Sequence, residues 1–169
     1  AIEAVCFNSC SSCVDNESYT INTTSSPSEG GAVAGGGSYE DGTVVTLEAS
    51  QNADYKFVNW TENGIEVSIN PNYSFTVNSD RTLVANFELK TYSVSTNINP
   101  SNSGTVTGAR DYDAGSTANL TATAANGYEF VNWTDNGIEV STNPDYSFTV
   151  SQSRTLIANP GVLGLREIE

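Results

Sequence analysis

Three cysteines, Cys6, Cys10 and Cys13, crowd one short stretch near the start of the sequence. Three thiolates at that spacing could hold an iron–sulfur cluster or a zinc ion. Such a cluster needs helices and strands folded around it, and the chain carries no helical apolar stripe. In a secreted, strand-rich protein the same cysteines are disulfide formers. The reading is one intrachain disulfide, Cys6–Cys10 or Cys6–Cys13, because the shortest spacing strains the bond. Three is odd, so one sulfur is left for a partner chain or for reactivity.

The remaining candidates are weaker. Histidine is absent, which removes Ser-His and Cys-His catalysis, imidazole metal ligands and the imidazole pH switch. Glu40 and Asp41, and Asp111 and Asp113, stand beside glycines and could bind calcium. A calcium site wants six or more oxygens in a defined order, and no such pattern is present, so these are read as solvated turns. Tyr39 and Tyr112 could stack on a sugar ring if exposed; aromatics in small β-modules more commonly serve the core. Lys56 and Lys90 could form isopeptide crosslinks. Position 129 is Glu where Lys56 would recur, so no crosslink is shared by both halves. The sequence therefore offers no catalytic residue, no metal site and no cofactor.

Charge bounds the partners. Asp and Glu number 20 against 6 Lys and Arg, a net of −14. That field repels nucleic acid and anionic lipid. No apolar run has the length of a membrane span. The Thr-, Ser-, Asn- and Gly-rich composition points to an extracellular or cell-surface protein, and Ala1 suits a position just after a cleaved signal peptide.

The elements that carry these residues come as a repeat. Tyr19–Asn86 aligns without a gap on Tyr92–Asn159, at a constant offset of 73 (92 − 19), with about half of the positions identical. The identities are mostly core and turn types. The predicted organisation is a cysteine-containing arm at 1–18, β-module 1 at 19–90, β-module 2 at 91–160 and a tail at 161–169. The link between modules is nearly absent, which predicts a rigid pair rather than beads on a string.

Within each module the segments alternate apolar and polar with period 2, the signature of half-buried strands. Thr43–Ala49 puts Val45, Leu47 and Ala49 on one face. Asn72–Val77 does the same with Tyr73, Phe75 and Val77. Arg81–Glu88 points Leu83, Ala85 and Phe87 inward. Gly35–Gly37 and Glu40–Gly42 read as the ends of a loop around Tyr39. Between strands lies Tyr55–Ser68, repeated at Tyr128–Ser141, each with one Trp and one Asn-Gly pair. Asn-Gly supplies the two positive-φ residues of a type I′ hairpin turn. Phe57 and Trp60 are three apart, so their strand is buried on both sides or carries a bulge. Asn59, between them, is read as a buried residue satisfying backbone groups. The predicted core is Phe57, Trp60, Tyr73, Phe75 and Leu83, with Phe130, Trp133, Tyr146, Phe148 and Leu156. The expected fold is all-β: two tandem small antiparallel modules, β-grasp-like or small sandwiches, with little or no helix.

The pattern resembles the divergent relatives of the internalin B-repeat, the Listeria–Bacteroides repeat family. Tyr39, Gly42, Leu47, Ala49, Tyr55, Phe57, Trp60, Leu83, Ala85 and Phe87 carry it in the first copy. In the second it rests on Tyr112, Gly115, Leu120, Ala122, Gly127, Tyr128, Phe130, Trp133, Leu156 and Ala158. The resemblance covers 19–159 and implies tandem β-grasp-like modules on bacterial surface or secreted proteins. It brings no catalytic residues. Module 2 departs from it at Pro160, where the closing Phe belongs.

The function this predicts is a non-catalytic structural or adhesive repeat protein of a bacterial surface, assembling with itself or with protein partners, as in an extracellular fibre. The alternative is a module binding a surface glycan or calcium. Because Pro gives no N–H to a ladder, the last strand of module 2 should stop or bend at Pro160. Val162 or Leu163 would then fill the vacant core place, or the tail would pair with a neighbouring subunit.

Overall fold

The computed structural model describes residues 17–164; the cysteines at 6, 10 and 13, and tail residues 165–169, lie outside them. The described chain is sixteen strands and one 3-10 turn at Ser28–Gly30. The first repeat contains β1 (Ser18–Ser26), β2 (Gly31–Ala34), β3 (Gly37–Glu40), β4 (Val44–Gln51), β5 (Tyr55–Glu62), β6 (Ile65–Ser68), β7 (Asn72–Thr76) and β8 (Arg81–Leu89). The second runs through β9 (Thr91–Ile98), β10 (Gly104–Thr107), β11 (Arg110–Asp113), β12 (Thr117–Ala124), β13 (Tyr128–Asp135), β14 (Ile138–Ser141), β15 (Asp145–Thr149) and β16 (Arg154–Val162).

Each repeat folds into a five-stranded sheet and a three-stranded sheet. The orders are β3-β1-β8-β5-β6 and β2-β4-β7 in the first, and β11-β9-β16-β13-β14 and β10-β12-β15 in the second. Pairings are antiparallel except for one in each repeat. There the first and last strands, β1 with β8 and β9 with β16, run parallel at the middle of the larger sheet. The sheets are therefore mixed rather than purely antiparallel, and that central pair gives each repeat its β-grasp-like character.

In the second repeat both sheets feed one core. Val94, Trp133, Leu156 and Ala158 come from the larger sheet, and Ala118, Leu120 and Ala122 from the smaller. The first repeat buries Ile21, Trp60, Leu83, Ala85 and Phe87 together with Val45 and Leu47. Tyr39 and Tyr112 lie on strands, not in loops: β3 pairs with β1 through Tyr19 and Tyr39, and β11 with β9 through Tyr92 and Tyr112.

The two Asn-Gly turns take the positive φ that a type I′ hairpin needs, with Asn63 at 51°, Gly64 at 79°, Asn136 at 49° and Gly137 at 80°. A bulge resolves the spacing of Phe and Trp. Opposite β16, Phe130 faces Pro160 and Asn132 faces Asn159, leaving Val131 unpaired. One extra residue restores Phe130 and Trp133 to the same face, with ring centroids 5.9 Å apart. Phe57 and Trp60 repeat the contact at 6.1 Å.

The strand does not end at Pro160. β16 continues through it to Val162, pairing Gly161 with Glu129 and Val162 with Tyr128. Two circumstances remove the need for its N–H. The parallel ladder with β9 ends at Ala158, and the bulge at Val131 falls on the other side. Pro160 is itself buried. Val162 and Leu163 do not fill a core place; they are 72% and 51% exposed.

The space Phe87 occupies in the first repeat is shared out differently in the second. Beside Phe87 are Gly30 and Gly31, where an added Cβ would come within 2.6 Å of the Phe87 side chain. At the matching places stand Ser103, fully buried with its hydroxyl donating to the Pro100 carbonyl at 2.6 Å, and Gly104. Ile98 takes the place of Ser25 and joins the core. A Cβ on Gly104 would meet Ile98 Cδ1 at 2.9 Å rather than an aromatic ring. Loss of one ring is thus matched by gains at Ile98 and Ser103, as close packing requires.

Candidate functional site

Trp60, Leu83, Trp133 and Leu156 are fully buried. Phe57, Tyr73, Phe75, Phe130, Tyr146 and Phe148 are half-buried, at the rim of the core rather than its centre. Each indole nitrogen is satisfied: Trp60 Nε1 donates to the Pro71 carbonyl at 3.2 Å and Trp133 Nε1 to that of Pro144 at 3.1 Å. The ring thereby ties the larger sheet to the start of the strand that follows Pro in the smaller one.

The rim is closed by an arginine. Arg81 Cζ lies 4.3 Å from the centroid of Phe75 and 5.8 Å from that of Tyr73, and Arg154 Cζ lies 4.5 Å from Phe148. Stacked there, each guanidinium meets the acid that precedes the hairpin turn. Arg81 donates to Glu62 through Nε at 3.1 Å and Nη2 at 2.7 Å; Arg154 donates to Asp135 through Nε at 2.7 Å. The Arg81 hydrogen bonds hold the Glu62 carboxyl below its ordinary pKa, partly opposed by burial. These pairs were not among the residues singled out from the sequence. Their signal was present: Glu62 and Asp135, like Arg81 and Arg154, are acid and base at the same repeat positions.

The asparagines within β5 and β13 are half-buried, and their partners are chiefly side chains, not backbone. Asn59 Nδ2 donates to Glu66 at 2.7 Å, and Asn59 Oδ1 accepts from Asn86 Nδ2 at 2.8 Å; Asn86 Nδ2 also reaches Thr61 Oγ1 at 3.0 Å. The same set recurs as Asn132, Glu139, Asn159 and Thr134. It spans β6, β5 and β8 beside the bulge, where ladder bonding is interrupted.

Of the two tyrosines considered for stacking on a sugar, Tyr112 is the more enclosed. Tyr112 is 6% exposed, its hydroxyl donates to the Gly108 carbonyl at 2.7 Å, and Arg110 Cζ lies 4.4 Å from its centroid. Tyr39 is half-buried and donates to the Gly35 carbonyl at 2.8 Å. Asp111 and Asp113 flank Tyr112 on β11, and both are exposed. Among the described residues no three His, Cys, Asp or Glu side chains gather where a metal could sit. Lys56 pairs with Glu88, and Lys90 Nζ donates to the Ala53 carbonyl at 2.7 Å.

The concave places are shallow. One of about 360 Å³ at an end of the larger sheet of the second repeat is lined by Ser93, Ser95, Asn136, Gln152, Ser153 and Thr155, with Asp135 and Arg154. Among the described residues no helix is long and apolar enough to cross a membrane.

No curated protein and no solved structure matches the chain. The pattern of the divergent InlB B-repeat domain matches it twice, over residues 21–91 and 94–159. With two tandem copies spanning most of its length, the chain belongs to the divergent InlB B-repeat family.

Proposed function

We infer that this is a non-catalytic structural or adhesive segment of a bacterial surface protein, working outside the cell and presenting tandem β-modules. The family suggests a bacterial surface repeat domain. The observation that carries the finer reading is where the shared polar side chains are spent. Trp60, Arg81, Glu62, Asn59 and Asn86, and their counterparts 73 residues on, bond one another or the backbone within their own repeat. The Trp bond ties the larger sheet to the smaller, and the Arg and Asn bonds tie neighbouring strands of the larger one, so the shared polar groups are spent on the fold itself. Self-assembly into a fibre, or docking to a protein partner, belongs to the same reading, since sheet edges such as β6 and β7 present unpaired backbone to a neighbouring strand.

The test is the state and activity of the purified chain. Light scattering and electron microscopy should find either a compact monomer or an ordered polymer, and screens for hydrolase and redox turnover should be blank. Turnover abolished by substituting a single half-buried polar residue would overturn the reading.

A further inference from the structure

We propose that Asn63, Asn126 and Asn136 are sites of spontaneous deamidation, graded by how firmly the fold holds each turn. Each precedes a glycine, at Gly64, Gly127 and Gly137, and all six residues are exposed. In the reaction the glycine amide nitrogen attacks the asparagine Cγ. The Cγ–Nδ2 bond breaks, ammonia leaves carrying the glycine amide proton, and a succinimide closes. One water then opens the ring at either carbonyl, giving aspartate or isoaspartate. Glycine permits this because no Cβ shields its nitrogen. Asn70 and Asn143 precede prolines, which have no amide proton to lose.

The folded turn opposes the attack, since closing the ring requires the asparagine backbone to rotate out of its turn conformation, which at Asn63 and Asn136 is left-handed. Reaction therefore proceeds from locally opened turns, and opening costs differ. Asn126 sits in a turn closed by the Tyr128 amide donating to the Ala125 carbonyl at 3.0 Å. Asn63 sits in a hairpin held by the pairs Glu62 with Ile65 and Thr61 with Glu66. Asn136 has an equivalent hairpin and a further restraint, its own Nδ2 donating to Asp135 Oδ1 at 3.1 Å. That bond ties up the leaving amide itself. The order of reaction is Asn126, then Asn63, then Asn136.

The two products differ in consequence. Aspartate tolerates the left-handed backbone of the hairpin turn and adds only a charge. Isoaspartate lengthens the main chain by a methylene and cannot keep the two-residue turn, so β6 or β14 loses its register. At position 136 the new carboxylate would also face Asp135, the partner of Arg154. The inference goes beyond the surface-repeat reading, and neither depends on the other.

The experiment incubates the intact folded protein in mildly alkaline buffer, with a sample unfolded in guanidinium chloride beside it. A Glu-specific protease separates the three sites, because Glu129 and Glu139 cleave between and after Asn126 and Asn136. Mass spectrometry follows the gain of one dalton at each, and an isoaspartate-specific methyltransferase reports the branched product. The expected result is similar rates when unfolded. When folded, Asn136 should lag Asn63 several-fold, and Asn126 should lead. A folded chain that gains no mass at any site while the unfolded chain does, or an Asn136 that keeps pace with Asn63, would overturn the proposal.

Discussion

Each indole at the centre of a repeat combines full burial with a satisfied nitrogen. Replacing Trp60 or Trp133 by Ala leaves a cavity and should cost about 3–5 kcal/mol, read as a lower urea midpoint; a variant melting like the parent would show the ring to be dispensable. Trp60→Phe should lose less: the Pro71 carbonyl forfeits the indole donor but keeps the Ala49 amide. The arginine clamp makes a pH prediction. Folding depresses the Glu62 pKa, so the ionised carboxylate favours the folded state. That contribution is complete above the ordinary carboxylate range and is lost as pH falls through the depressed folded value. The stability gap between the parent and Glu62→Gln should therefore be widest near neutrality and narrow on acidification. A gap that widens in acid would contradict the assignment. The tryptophans were legible in the sequence as the only ones, each in its own copy. The clamp was harder to see, because Arg81 and Glu62 are far apart in sequence and meet only once β5 and β8 lie side by side.

Strand by strand, the alternation of apolar and polar residues reveals period and face but not which strand lies beside which. The Asn-Gly hairpins were readable because turn and partners are contiguous. The parallel pairing of β1 with β8 was not, since it joins ends of a repeat with no local signal. The same limit hid β3 and β11: Gly37–Glu40 looks like a loop until Tyr19 is placed opposite Tyr39. Pro160 misled for a related reason. A proline forbids only a hydrogen bond that the strand would otherwise make, and here none is required of it. The packing around that position can be tested by exchange between the repeats. Pro160→Phe alone should overfill the second repeat, where Ile98 and Ser103 already take the space, at a cost of about 1–3 kcal/mol. Combining it with Ile98→Ser and Ser103→Gly rebuilds the first repeat's arrangement and should recover most of the loss. Equal stability of the single and triple variants, measured by urea unfolding, would show that these three positions do not share one space.

For the whole molecule the governing quantity is charge. Acids exceed bases by 14, from 20 against 6. Among the described residues the cations are engaged internally. Lys56 pairs with Glu88, Arg81 with Glu62 and Arg154 with Asp135, Lys90 binds the Ala53 carbonyl, and Arg110 covers Tyr112. The net charge shown to solvent is thus strongly negative, and its self-repulsion opposes both folding and association. Salt acts on two opposed terms. It weakens the long-range repulsion, and it weakens the attractive ion pairs. Raising ionic strength from about 0.01 M to about 0.15 M shortens the screening length from roughly 30 Å to roughly 8 Å. Repulsion between scattered carboxylates falls within the range removed. The pairs of Arg81 and Arg154 lie at 2.7 Å, with side chains no more than 23% exposed, and are little affected. Stability should therefore rise with salt, by a few degrees in Tm, and any self-association should strengthen in the same direction. Scanning calorimetry and light scattering across a sodium chloride series decide the matter. A melting temperature that falls over that range would mean that ion pairing, not like-charge repulsion, controls the stability of the chain.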